Sequence, residues 1–91
     1  MGIYDVENKN WEVPTGAITK NEMDQVDAIF LEYRRARGKF PPMRGAHEGY
    51  AVILEELDEM WDAIKANDIP HARREALQVA AMALAFLLEV K

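Results

Sequence analysis

The sequence predicts an all-α protein of three helices, and two observations lead there. Apolar residues recur at three- and four-residue spacing in three separate stretches, roughly 19–38, 47–66 and 69–90. Capping or helix-breaking residues bound each stretch. No internal repeat or low-complexity tract interrupts them.

Residues 1–18 show no sustained periodicity and are punctuated by Pro14 and Gly16. They read as an irregular N-terminal arm, with Trp11 and Val13 its expected attachments to the core. Residues 19–91 form the helical domain. Its first helix opens with Thr19-x-x-Glu22, a capping-box pattern in which each side chain satisfies a backbone donor of the first turn. Met23, Val26, Ile29, Phe30 and Tyr33 supply one apolar stripe, Gly38 is expected to end the helix, and Pro41-Pro42 prevent it from resuming. The second helix spans about His47 to Ala66, with Tyr50, Ile53, Leu54, Leu57, Met60, Trp61 and Ile64 on a broad apolar face. Asn67-Asp68 breaks it. Asp68 can cap a third helix from about Ile69 to Val90, with Pro70 in the first turn, where proline is tolerated.

The short connection at Asn67 makes helices 2 and 3 an antiparallel hairpin. The second half of helix 3 is apolar nearly all round, which asks for burial on several sides. A chain of 91 residues without cysteine cannot form a disulfide, and a chain this short buries only about 60% of its unfolded surface. Oligomerisation into helical bundles, as a homodimer or tetramer, is therefore expected, with Leu84, Phe86, Leu87 and Leu88 in the intersubunit contacts.

A net charge of −5 argues against general binding to nucleic acid or anionic membrane. The most apolar stretch, Ala76–Val90, is 15 residues long, whereas a bilayer span needs about 20. Met1–Asn10 has no apolar core of the kind a secretory leader carries, so the expected location is cytoplasmic.

Two acidic groups stand out. Helix 2 carries Glu55-Glu56-Leu57-Asp58-Glu59, and helix 3 carries Glu75 with Gln78 three residues on, so Glu56/Glu59 and Glu75/Gln78 each share a helix face. Glu59 and Glu75 lie eight residues either side of Asn67, and Glu56 and Gln78 lie eleven. In an antiparallel hairpin Glu59 then faces the level of Glu75, and Glu56 that of Gln78. Glu75 projects among Val79, Met82 and Phe86, where a carboxylate is costly to bury unless it is paired or bound to a cation. Its candidate partners are Arg73 and Arg74, or a divalent ion shared with Glu56 and Glu59. An oxygen-only donor set suits Mg²⁺, or Mn²⁺. The competing reading is a solvated acidic helix face.

Other chemistry is thinner. His47-Glu48 lacks the second histidine of a zinc-protease helix, because position 51 is alanine. His47 and His71 read as capping or packing residues. Trp61 reads as core, with base stacking as its functional alternative, and Met60 and Met82 read as core fillers.

Glu55-Glu56-x-x-Glu59 followed by Glu75-x-x-Gln78 on two consecutive helices resembles the MazG-type nucleotide pyrophosphohydrolases, whose motif is EExxE followed by ExxD. The flanking runs His47–Leu54 and Glu75–Leu84 are similar to small phage and bacterial members, and the resemblance covers roughly residues 19–90. It implies Mg²⁺-dependent hydrolysis of nucleoside triphosphates between the α and β phosphates, in a dimer or dimer of dimers. Glu55, Glu56, Glu59 and Glu75 match the acidic motif, with Glu56, Glu59 and Glu75 as metal ligands and Glu55 without an assigned role.

Gln78 departs from the pattern: it stands where the motif has aspartate, and its amide oxygen can ligate a cation but brings no charge. That substitution weakens the site, shifts work to Glu55 or Asp58, or marks a nucleotide- or metal-binding module that does not turn over. Arg34, Arg35, Arg37, Lys39 and Arg44 cluster around the end of helix 1. They complement the helix dipole and aid solubility, or, in the case of Arg37, Lys39 and Arg44, grip the triphosphate if the loop folds over the acidic site.

Overall fold

A computed structural model describes residues 16–91. The arm expected at 1–18, with its anchors Trp11 and Val13, lies outside the described residues except for the exposed Gly16–Ile18. Three helices make the fold, α1 (Lys20–Lys39), α2 (Ala46–Lys65) and α3 (Ile69–Glu89), and no strand occurs among the described residues.

The local signals at the helix ends act largely as their chemistry dictates. Thr19 caps α1: its hydroxyl accepts from the Glu22 amide, and the Glu22 carboxylate accepts from the Thr19 amide. The far end of α1 corrects the expectation for Gly38, which is inside the last turn. Phe40 is the terminating residue, extended at φ −130°, ψ 149°, because Pro41 excludes the helical region for the residue before it. Asp68 caps α3 by accepting from the His71 amide.

Between α2 and α3 the chain reverses through Asn67, whose φ of 59° is in the left-handed region that asparagine tolerates. The Asn67 amide donates to the Ile64 carbonyl and the Asp68 amide to the Ala63 carbonyl. This is a Schellman closure, which satisfies the carbonyls a helix end leaves open.

α3 is the middle of the molecule. α1 and α2 each pack against it, and their backbones do not come close to each other. The outcome is one layer of helices in the order α1, α3, α2, with a groove between α1 and α2 floored by α3. The small core contains Met43, Ala81, Met82 and Ala85, against which Tyr33, Val52, Ile53 and Phe86 lean. Arg37 fastens the α1–α2 connection. Its guanidinium pairs with the Glu89 carboxylate and donates to the Phe40 and Pro41 carbonyls at 2.8 and 3.0 Å, while the Met43 amide donates to Glu89 at 2.9 Å.

A single layer has no second layer to bury its apolar side, and several expected core residues are exposed for that reason. No large side chain is fully buried among the described residues. Met23, Val26 and Phe30 are exposed on α1, leaving Ile29 and Tyr33 as the half-buried members of its stripe. On α2, Ile53 and Met60 turn toward α3, whereas Tyr50, Leu54, Leu57, Trp61 and Ile64 face outward. Trp61, expected in the core, is 55% exposed. Leu87 and Leu88 are exposed on α3, whereas Phe86 is half-buried and packs over Gly49.

Candidate metal centre

The Asn67 reversal fixes the register of the hairpin, and the acidic side chains meet where their spacing places them. One carboxylate oxygen from each of Glu56, Glu59 and Glu75 lies within 4.8 Å of the other two. Gln78 and Glu56 both line the groove between α1 and α2, one turn further along, with Glu55 beside them.

Glu75 is the buried member, 9% exposed. Its Oε2 is shielded from solvent and has no hydrogen-bond partner. The arginine alternative finds no support: Arg73 and Arg74 are exposed, and among the described residues neither pairs with Glu75. A buried carboxylate oxygen left without a partner carries a penalty that a cation would relieve.

The neighbours register this crowding. Glu56 is half-buried, and burial first, then repulsion from Glu59, Glu75, Glu55 and Glu32, pushes its carboxyl up to about 7. Glu59 is exposed, yet hydrogen bonding with the Glu75 carboxyl and then repulsion from its charge hold it above the ordinary carboxylate range. Carboxylates crowded together without a counter-charge disfavour one another's ionised form.

The donor set fits a hard divalent ion. All three donors are carboxylates, and His47 and His71 are exposed and outside the cluster. Such a set suits a hard cation better than a soft one.

The adjoining groove has a volume of about 420 Å³, within the range of small-ligand sites. Glu32, Glu55, Glu56 and Gln78 line its acidic part, Arg35 and Lys39 its basic edge, and Phe40, Met43, Val52 and Met82 its apolar wall. Of the three cations expected to grip phosphate, Lys39 lines the groove and is exposed. Arg37 also lines it but is held by Glu89, with its side chain only 19% exposed. Arg44 points into solvent, bound to Glu48 at 2.7 Å, and is not among the lining residues. Asp58 is exposed and outside the groove.

Spacing on α2 and α3 gives no view of Glu32 and Arg35, which α1 brings to the site. A signal for Glu32 does exist in its own helix. It falls between Ala28 and Ile29, one turn before it, and Ala36, one turn after, all of them half-buried as Glu32 is. A carboxylate on the packed stripe of a helix carries the same message that Glu75 carries on α3.

Comparison of the chain with protein-family models, with curated proteins and with solved structures gives no match.

Proposed function

We propose that the protein is a nucleoside triphosphate pyrophosphohydrolase of the MazG type, dependent on Mg²⁺ or Mn²⁺. The observation that carries the reading is the buried, unpartnered Oε2 of Glu75 in a cluster whose other carboxylates, Glu56 and Glu59, belong to the facing helix. Glu56, Glu59 and Glu75 would hold the cation, with the Gln78 amide oxygen available beside Glu56. A bound Mg²⁺ supplies charge neutralisation at the phosphates and a more acidic water.

The groove supports a substrate with a polyanionic end and an apolar end. Lys39 and Arg35 at its edge offer cations to the phosphates, and Phe40, Met43, Val52 and Met82 offer a surface to a base. Glu55 lines the groove, stands outside the three-oxygen cluster and adjoins Glu56 in sequence, so in this reading it would accept a proton from the attacking water. Water adds at the α phosphorus, the bond to the bridging oxygen breaks, and the products are nucleoside monophosphate and pyrophosphate.

Gln78 favours a second reading, a nucleotide- or metal-binding module with little turnover, because the motif's fourth negative charge is missing. Pyrophosphate release across a panel of nucleoside triphosphates with Mg²⁺ and Mn²⁺ separates the two. Release that disappears in Glu75→Gln supports the enzyme. Metal binding without release from any triphosphate supports the module.

Self-association completes the proposal. The open apolar side of the helix layer, with no large side chain fully buried, suits a second copy of the chain in a dimer or tetramer. Among the described residues, no helix is long and apolar enough to cross a membrane.

A further inference from the structure

We infer that Glu32 of α1 is an additional acidic residue of the cation site, supplying across the groove the negative charge that Gln78 lacks. The inference rests on the metal-site reading above and extends it to a helix outside the acidic motif.

Placement comes first. Glu32 and Glu56 face the same cavity from opposite walls, with Gln78 between them on its floor. The Glu32 side chain is 16% exposed, although α1 contains no buried residue. A carboxylate so withdrawn from water normally has a strong partner. Its ionic contact among the described residues is Arg35 Nε at 3.9 Å, from a side chain that is itself 70% exposed. That contact is long for a charge-assisted hydrogen bond, which falls near 2.7–2.9 Å. Glu32 thus resembles Glu75: an acid turned into the site and poorly matched by the protein.

Charge gives the reason. Glu56, Glu59 and Glu75 account for the clustered oxygens, and Glu32 is not one of that group. It nonetheless lines the same groove as Glu56 and Gln78. Mg²⁺ keeps several of its waters when bound to protein. A carboxylate at Glu32 can accept hydrogen bonds from such waters without direct coordination, a position from which outer-sphere groups typically tune metal affinity about 10–100-fold. Glu32 is then a positioning residue for the hydrated ion, and the neutral Gln78 is tolerated because the missing charge arrives from α1.

Mn²⁺ binding followed by electron paramagnetic resonance tests this without recourse to activity, using the full chain and the variants Glu32→Gln, Glu32→Asp, Glu75→Gln and Glu32→Gln/Gln78→Asp, each checked for unchanged helicity. Glu32→Gln should weaken Mn²⁺ binding about tenfold or more. Glu32→Asp should weaken it less, and Gln78→Asp added to Glu32→Gln should recover most of the loss. Wild-type affinity in Glu32→Gln, with binding lost in Glu75→Gln, would overturn the role of Glu32 and leave the metal site standing. A loss in Glu32→Gln that Gln78→Asp does not recover would overturn the charge compensation. No Mn²⁺ binding by the wild-type chain would overturn the metal site and this inference together.

Discussion

Gly49 of α2 lies directly beneath the ring of Phe86 on α3: a Cβ placed on it would stand 2.5 Å from Phe86 Cδ2 and 3.2 Å from Met43 Sδ. The absence of a side chain lets the two helices approach at the end of the hairpin away from Asn67. Alanine at this position favours the helix by about 1 kcal/mol over glycine. It must also displace a ring that packs against the core, and overpacking costs about 1–3 kcal/mol. Gly49→Ala should therefore lower the melting temperature by a few degrees, a fall that Phe86→Leu in the same chain should partly reverse. A rise in the single variant would show that the ring moves freely.

Protonation gives a second expectation. The Glu56 carboxyl is raised from its ordinary 4.5 to about 7, so the folded protein binds a proton that the unfolded chain has released across that interval. A raised carboxyl contributes stability that is fully present below about 4.5 and is lost as pH rises through about 7. Without divalent ion, stability should decline from pH 5 to pH 7.5, and Glu56→Gln should flatten the decline. Metal competes with that proton, so Mg²⁺ affinity should climb over the same interval. Thermal melts at a series of pH values, with chelator and with Mg²⁺, check both signs. Stability that increases with pH in chelator would contradict the first.

The hairpin and its acidic register were legible because local rules determine them. Asn67 and Asp68 set the reversal, and equal spacing on either side brings Glu59 to Glu75. The position of α1 was not, since no spacing rule says whether a third helix rests on α2 or on α3. It rests on α3, and the groove with Glu32 and Arg35 exists for that reason. Trp61 is exposed rather than core because periodicity marks a residue as apolar-facing without saying which partner covers it. Gly38 near the helix end suggests a stop by its type alone, yet Pro41 imposes the stop through Phe40.

Gln78 separates an adapted enzyme from a binder. Gln78→Asp adds a negative charge on the groove floor beside Glu56 and should strengthen Mg²⁺ binding. A site already balanced around glutamine should at the same time lose pyrophosphate release, because a shorter, charged side chain alters the ligand geometry. A module held back only by the missing charge should gain both. Isothermal titration with Mg²⁺ and a pyrophosphate assay on the same preparation read the two quantities, and a gain in both would reverse the assignment of the wild-type chain as the adapted form.

The last expectation concerns the open side of the layer. Tyr50, Leu54, Leu57, Trp61 and Ile64 recur at spacings of four, three, four and three residues, the seam by which two helices pack along their length. At about 100° per residue they lie on the side of α2 opposite Glu48, Glu55 and Glu59. A second copy seated on this seam would cover Leu57 and Trp61 while leaving the acidic groove open to solvent and substrate. Light scattering should give at least twice the chain mass of 10.4 kDa, with a melting temperature that rises with protein concentration. Leu57→Glu sets a charge in the middle of the seam and should shift the mass to that of one chain, lowering the melting temperature. Leu57→Met should preserve both, as a volume-conserving apolar change. Because the seam faces away from Glu56, Glu59 and Glu75, any Leu57→Glu protein that remains helical should still bind Mn²⁺. A wild-type chain with a monomer's mass at micromolar concentration and a cooperative melt would show that the helix layer is stable alone, and the second copy would be unnecessary.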